Sequence, residues 1–406
     1  MTVPLRQEEE EMHTHNHPYT TLLTHLHAHL PHSGPLYRRI QYQVSHPSPT
    51  ARVFASFKES QSPQETKTPW LASYVDIPRG PDTQIWLFSS IESESGNSES
   101  ATPATTKKSR EIIKTHLLSL FTHIQRSLVP DYISSLPTTL KTPAPAVIDE
   151  GVPKISAHRP TSYLLGTVHT TLEALIVELR NEGKLTIHRG AGVHYVKYCF
   201  SSKTFDNVSL ENVNASTTTE DSSSSSGYRF HDSTGKPGIQ GHHIDLVKSR
   251  TNIPRSREAL LAMGGIALYH SHSHPSQLSS NGGTAAATPT SKEEEKEGKE
   301  MPIGWAFLGF DGSLCSLHVE PEHRGRGLAG VVGREVMKRG VEVFEPGSGS
   351  SESPRGNPGD RGEEEWFFAD VAVENAASRR VMEKMGGVAR WKVAWMVVEV
   401  ENPENP

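Results

Sequence analysis

The chain has 406 residues, enough for two or three domains with cores of their own. Its hydrophobic fraction is only 34%, with 32 glycines and 28 prolines, which points to folded segments separated by insertions that bury little. A formal net charge of −6 gives no electrostatic footprint for nucleic acid, and no apolar run approaches the roughly 18 to 20 residues of a membrane span; neither partner is expected.

The N-terminus opens on an acidic run, unlike a signal or transit peptide, and residues 1–18 read as a disordered tail. Two cysteines, Cys199 and Cys315, sit in apolar strand-like contexts, so the chain reads as cytoplasmic with reduced, buried thiols. From Thr20 a helical pattern carries Leu22, Leu23, Leu26 and Leu30 along one side and stops at Pro31. His25, His27 and His29 are interleaved and read as a solvated face. Residues 37–44, 52–57, 71–77 and 83–91 are rich in aromatic and β-branched residues and read as strands. After a Ser/Glu/Thr-rich linker over 93–106, an amphipathic helix places Ile112, Ile113, His116, Leu117, Leu120, Phe121 and Ile124 on one stripe. These elements form an α+β domain over residues 19–130 that carries no catalytic motif.

A proline-rich linker, 131–160, leads to a second domain, 161–406, with polar insertions near 203–226, 275–300 and 345–365. Helices are expected over 170–182, 244–250 and 256–263, and strands over 185–187, 193–200 and 265–269. The last strand runs into His270, His272 and His274, which a two-residue period puts on one face. No carboxylate or cysteine completes a zinc site, and no metal is expected. Residues 301–310 and 312–319 read as a hairpin turning at Asp311-Gly312, and residues 366–373, 375–385 and 388–399 as strand, helix and strand.

Between the hairpin and that closing unit lies the stretch on which the second domain is organised. A strand ends at Val319, Pro321 interrupts it, Gly325, Gly327 and Gly330 form a turn, and a helix follows. Glycines let the backbone approach a ligand, and a helix N-terminus offers unpaired N–H groups and a positive dipole end to phosphate. A Walker loop is excluded because Val331 and Val332 stand where Lys-Ser/Thr is needed. A dinucleotide fingerprint matches the three glycines, but residues 321–324 intervene after the strand and too little chain remains for a doubly wound sheet.

Val319, Pro321 and the run Arg324-Gly325-Arg326-Gly327-Leu328-Ala329, followed by a helix, resemble the cofactor motif of the GNAT superfamily of acyl-coenzyme A-dependent N-acyltransferases. Arg324, Gly327 and Ala329 meet its Arg/Gln-x-x-Gly-x-Gly/Ala pattern, and a second signature follows in order at Val373, Asn375, Ser378 and residues 383–386. The resemblance covers roughly residues 228–399. It implies an α+β fold with a mixed, mostly antiparallel sheet flanked by helices. The smaller N-terminal α+β domain has a similar helix–strands–helix order, as in glycine N-acyltransferase-like proteins. The implied reaction moves an acetyl or other short acyl group from acyl-coenzyme A to an amine, by direct attack in a ternary complex. The acceptor is a small-molecule or amino-acid amine, with a non-catalytic coenzyme A-binding module as the alternative.

In that resemblance the N–H groups of Gly325, Arg326, Gly327, Leu328 and Ala329, with Arg324, hold the pyrophosphate. Leu317 and Val319 pair with the pantetheine arm, and Asn375 and Ser378 meet the cofactor from the opposite side. The catalytic positions depart from the family. Met382 stands where many members have a tyrosine, and Ser313 where glycine N-acyltransferases have a glutamate. The remaining candidates for proton transfer are His318, whose type titrates near neutrality, Glu320 and Asp311.

Overall fold

Apolar residues at helical and two-residue spacings build ten helices and thirteen strands in the computed structural model, which describes residues 12–94, 103–138, 159–204, 210, 227–270, 300–344 and 364–400, apart from 64, 67, 81, 252 and 254. The first half runs β1 (His13–Thr14), α1 (Leu22–His27), α2 (Gly34–Ser45), β2 (Arg52–Ala55), β3 (Leu71–Val75), β4 (Ile85–Ser89), α3 (Ile91–Glu94), α4 (Pro103–His123), α5 (Val129–Ser135), β5 (Tyr163–His169), α6 (Thr170–Asn181), β6 (Leu185–Arg189) and β7 (His194–Ser201). The second runs β8 (Tyr228–Arg229), α7 (Ile244–Ser249), α8 (Arg257–Met263), β9 (Ile266–His270), β10 (Gly304–Leu308), β11 (Leu314–Val319), α9 (Leu328–Phe344), β12 (Trp366–Ala372), α10 (Ala376–Lys384) and β13 (Val388–Val400).

The fold is mixed α+β. One large sheet has the order β1-β2-β3-β4-β5-β13-β7-β12, with β6 also on β13, and a smaller one the order β11-β10-β9-β8. The ladders are antiparallel except for the parallel pair β4–β5. The halves repeat one plan: paired helices, three antiparallel strands, a long helix, a parallel strand, a helix and a closing strand. Their closing strands are exchanged. β13 of the second half lies against β5, and β7 of the first lies against β12.

Three cores follow from this plan. Leu117, Leu120 and Phe121 of α4 and Leu172, Leu175 and Ile176 of α6 bury Leu165, Met396 and Val398. Val332, Val336 and Met337 of α9 and Met382 of α10 bury Tyr198, Phe307 and Phe367. Leu22, Leu26, Leu36 and Ile40 of α1 and α2 pack on Tyr74, Trp86 and Phe88. Each core mixes strand faces with helix stripes, and burial of these side chains is the main stabilising term.

Several sequence expectations change. Residues 37–44 are not a strand but most of α2, because Pro35 suits a first helical turn and Leu36 and Ile40 share a face; Val44 is left exposed. Residues 12–18 are not tail: Met12 is buried and His13–Thr14 pairs with β2. β5 was not anticipated, since Gly166 interrupts its apolar run, yet it is a central strand. His25, His27 and His29 do not share a solvated face, although His27 is exposed. His25 is buried and stacked 4.5 Å from the Phe57 ring, and His29 lies 5.4 Å from Trp70. The hairpin loop is longer than two residues, spanning 309–313 with Gly309 N–H donating to the Ser313 carbonyl. Most of the expected insertions, residues 205–209, 211–226, 271–299 and 345–363, lie outside the described residues, as do 95–102 and 139–158 of the expected linkers.

A buried ion pair crosses the exchanged seam. Lys197 Nζ on β7, fully buried, lies 2.6 Å from Asp370 Oδ1 on β12, and the Trp395 indole N–H donates to Asp370 Oδ2 at 3.2 Å. Removing one partner strands the other's charge in the interior. Lys197→Met is expected to destabilise the fold by about 3–5 kcal/mol in chemical denaturation, and Lys197→Met/Asp370→Leu to recover most of it. A single-variant loss below about 1 kcal/mol would show that the pair is solvated.

Candidate functional site

Strand β11 has one paired edge and one free edge. It pairs with β10 through Val319–Gly304 and His318–Trp305, then resumes at Cys315–Phe307 with one extra residue on its own side. That bulge places Ser316 at φ +50°, a left-handed value uncommon outside glycine. Toward β12 a single parallel bridge, Ser313–Phe368, closes an apex, with Phe368 N–H donating to the Gly312 carbonyl at 3.0 Å. Beyond it no ladder joins the two strands among the described residues. Glu320 N–H donates to the Ile303 carbonyl, so strand alternation turns the Val319 N–H and C=O toward the free edge. Arg324 Nε donates to that Val319 carbonyl at 2.8 Å, while the N–H stays free.

The chain leaves β11 through a 3-10 turn at Pro321–His323 and enters α9 through Gly325 (φ +79°) and Gly327 (φ +77°). A Cβ at either glycine would meet nothing within 4 Å, so it is the dihedral that demands glycine, and the space over the turn is open. The N–H groups of Gly325, Arg326, Gly327, Leu328 and Ala329 find no acceptor among the described residues. These donors, at and just before the positive end of the 17-residue α9, have a chemistry that suits pyrophosphate. The turn is braced from elsewhere in sequence. Arg326 Nη1 donates to the Tyr228 hydroxyl at 2.7 Å, which lies 3.2 Å from His323 Nδ1. His270 packs 5.1 Å from His323, and His272 and His274 lie outside the described residues.

Across the free edge, Asn375 caps α10: its Oδ1 accepts the Ser378 N–H at 3.0 Å and its own N–H donates to the Ala372 carbonyl. The cap fixes where α10 begins beside the end of β12.

His318 and Glu320 come together; Asp311 does not join them. The His318 ring stacks on Trp305 at 4.6 Å, and its Nε2 lies 3.5 Å from Glu320 Oε2. Glu320 is also held by Arg250 Nε at 3.0 Å. Burial lowers the His318 pKa below its ordinary value, an effect the Glu320 carboxylate opposes and Arg324 and Arg250 reinforce. Asp311 is buried in the hairpin loop at the opposite end of β11, accepting from Trp86 Nε1 at 3.3 Å and Ser313 N–H at 3.1 Å. It ties the hairpin loop to β4 of the first half. Met382 is a buried core residue. Tyr228, Trp305 and Arg250 were missed from the sequence, where nothing local links them to residues 318–326.

Residues 9–198 match the family model described as the acyl-CoA N-acyltransferase verG N-terminal domain. That region, slightly less than half of the chain, is similar to this acyltransferase domain. The matched region is the half without the glycine turn. No curated protein matches the chain in sequence. Among solved structures, a Drosophila structural-genomics protein aligns at 12% identity over 94% of each chain, with a TM-score of 0.49. A GCN5-related N-acetyltransferase from Sphaerobacter thermophilus aligns at 10% identity over 87% of this chain and 81% of its own (TM-score 0.35). A putative GNAT-family acetyltransferase from Novosphingobium aromaticivorans does so at 12% over 54% and 69% (TM-score 0.29). No helix is long and apolar enough to cross a membrane, and no cluster of three or more metal-ligating side chains is present, among the described residues.

The first half repeats the strand–helix plan, and residues 95–102, which lead into α4, lie outside the described residues. After β4, Ser89 N–H donates to the Glu92 carboxyl at 2.8 Å, and burial pushes the Glu92 pKa well above the ordinary range. A buried carboxyl group thus sits just after β4.

Ring-proton NMR is expected to find His318 titrating below the ordinary histidine value of 6.5. Glu320→Gln should move that midpoint further down, because the carboxylate is the group that raises it. An unchanged midpoint would separate the two side chains.

Proposed function

We propose that the chain is an acyl-coenzyme A-dependent N-acyltransferase acting at the free edge of β11. One observation carries the reading: five N–H groups without acceptors open α9 directly beside an unpaired strand edge. That pairing of a phosphate cradle with free strand amides suits a pyrophosphate joined to an amide-bearing arm. Gly325, Arg326, Gly327, Leu328 and Ala329 bind the pyrophosphate with Arg324 at its flank, Leu317 and Val319 pair with the arm, and Asn375 and Ser378 line the opposite side.

Acyl-coenzyme A, when bound, supplies an activated thioester, with acetyl as the default group. The acceptor is a small-molecule or amino-acid amine, which reacts only as the neutral base. His318, kept neutral by burial, accepts the amine proton, and Glu320 steadies the imidazolium that results while Arg250 holds Glu320 in place. Trp305 fixes the ring plane. The hydrophobic Met382 favours a competing reading, a coenzyme A-binding module without turnover. Coenzyme A release with a panel of amines separates the two, since tight binding without release supports the module.

Gly327→Glu puts a carboxylate against the pyrophosphate in a strained φ, and acetyl-coenzyme A affinity by isothermal titration should fall by about 100-fold or more. Unchanged affinity would refute the site. His318→Ala is expected to reduce turnover by about 100-fold or more with affinity nearly intact. In the wild type, turnover rises with pH through the lowered His318 pKa and then levels, and the variant lacks that limb. An identical pH–rate profile would remove His318 as the base.

A further inference from the structure

The halves also meet where the loop between α1 and α2 crosses β13. His32 in that loop stacks on Trp391, ring centroids 4.4 Å apart and planes at 18°, and His169 at the end of β5 lies 6.2 Å from the same indole. His169 Nδ1 accepts the Thr171 N–H at 3.1 Å, which fixes the neutral tautomer with its proton on Nε2. Neither imidazole has a carboxylate within ion-pair distance among the described residues. The groups facing them are cationic or become so: Arg390 and His29 toward His32, and His32 toward His169. The nearby acids are committed elsewhere, Glu173 of α6 to His194 at 2.8 Å and Asp370 to Lys197 at 2.6 Å.

This junction connects to the cleft. Two residues after His32, Gly34 begins α2 with its backbone against the Phe368 ring, so close that a Cβ there would collide with it. Phe368 in turn donates its N–H to the Gly312 carbonyl, the bond that closes the apex between β11 and β12. A ring that gains a proton at His32 or His169 brings an uncompensated charge into this contact, beside Arg390.

We propose that His32, His169 and Trp391 form an acid-sensitive latch between the halves, whose opening loosens the apex of the cleft through Gly34 and Phe368. The coupling to the cleft rests on the acyl-coenzyme A reading; the latch itself does not. The sign follows from linkage. Burial holds both imidazoles below 6.5, His169 at about 4, whereas in the opened state they titrate at the ordinary value. The open state therefore binds more protons. The latch is fully closed above 6.5 and weakens as pH falls toward about 4.

Hydrogen exchange of residues 28–36 and 388–395, corrected for intrinsic pH dependence, tests the latch without ligand. Between about pH 7.5 and pH 5.5, opening in the wild type should accelerate by about tenfold. His32→Phe/His169→Asn keeps a stacked ring and an acceptor for the Thr171 N–H, and should accelerate by less than about twofold. Equal acceleration in both proteins overturns the latch. If the double variant does not fold, His169→Asn alone is compared, and it should lose most of the wild-type acceleration. Acetyl-coenzyme A affinity, read as the wild-type-to-variant ratio at the two pH values, should change by about threefold or more. A constant ratio overturns the coupling. If the wild type binds acetyl-coenzyme A at neither pH, the cofactor reading fails while the exchange result still decides the latch.

Discussion

Strand β13 hydrogen-bonds to β5 along one edge and to β7 along the other, and every larger feature of the molecule depends on that placement. Because β13 is the last strand of the second half, neither half can close its own sheet. β12 is left to pair with β7, and the Lys197–Asp370 pair is buried at that junction with the Trp395 indole completing the carboxylate's bonding. The apolar faces of α4 and α6 cover β5 and β13, those of α9 and α10 cover β7 and β12, and the two cores become one continuous structure. Opening one half exposes strand edges and apolar faces of the other, which makes their stabilities inseparable.

The same arrangement leaves β11 with an unused edge. β12 is drawn toward β7, so β11 keeps only the Ser313–Phe368 bridge with it, and the bulge at Ser316 re-aims the backbone just beyond that apex. An unpaired edge is a liability in a soluble domain unless something covers it. Here it lies alongside five unpaired helix-terminal amides. In the first half, just after β4, the buried Glu92 carboxyl accepts the Ser89 N–H.

The cradle was legible in the sequence because its determinants are local. Proline ends a strand, glycines at positive φ make a turn, and an N-terminal helix turn has unpaired donors whatever it packs against. The same holds for α6, α9 and α10, whose apolar stripes are intrinsic. What escaped was set by distant partners. The Arg326–Tyr228 and Glu320–Arg250 contacts join segments with no local signal, and β5 became a central strand only through β4 and β13. Residues 37–44 look like a strand by composition, but the Arg39 guanidinium packs 3.8 Å over the Tyr74 ring and Leu36 and Ile40 fill one face, which only a helix allows. His25 resembled a surface histidine until Phe57, thirty-two positions on, stacked beneath it.

The central claim is that one cleft, on the second half alone, grips acyl-coenzyme A by its backbone. Hydrogen exchange with and without saturating acetyl-coenzyme A tests it most directly. The account predicts slowed exchange at the amides of Leu317, Val319 and Gly325 to Ala329, with a smaller effect at the start of α10 and none at Ser89 to Glu94. Protection confined to the first half, or no protection anywhere along residues 317–329, would contradict it.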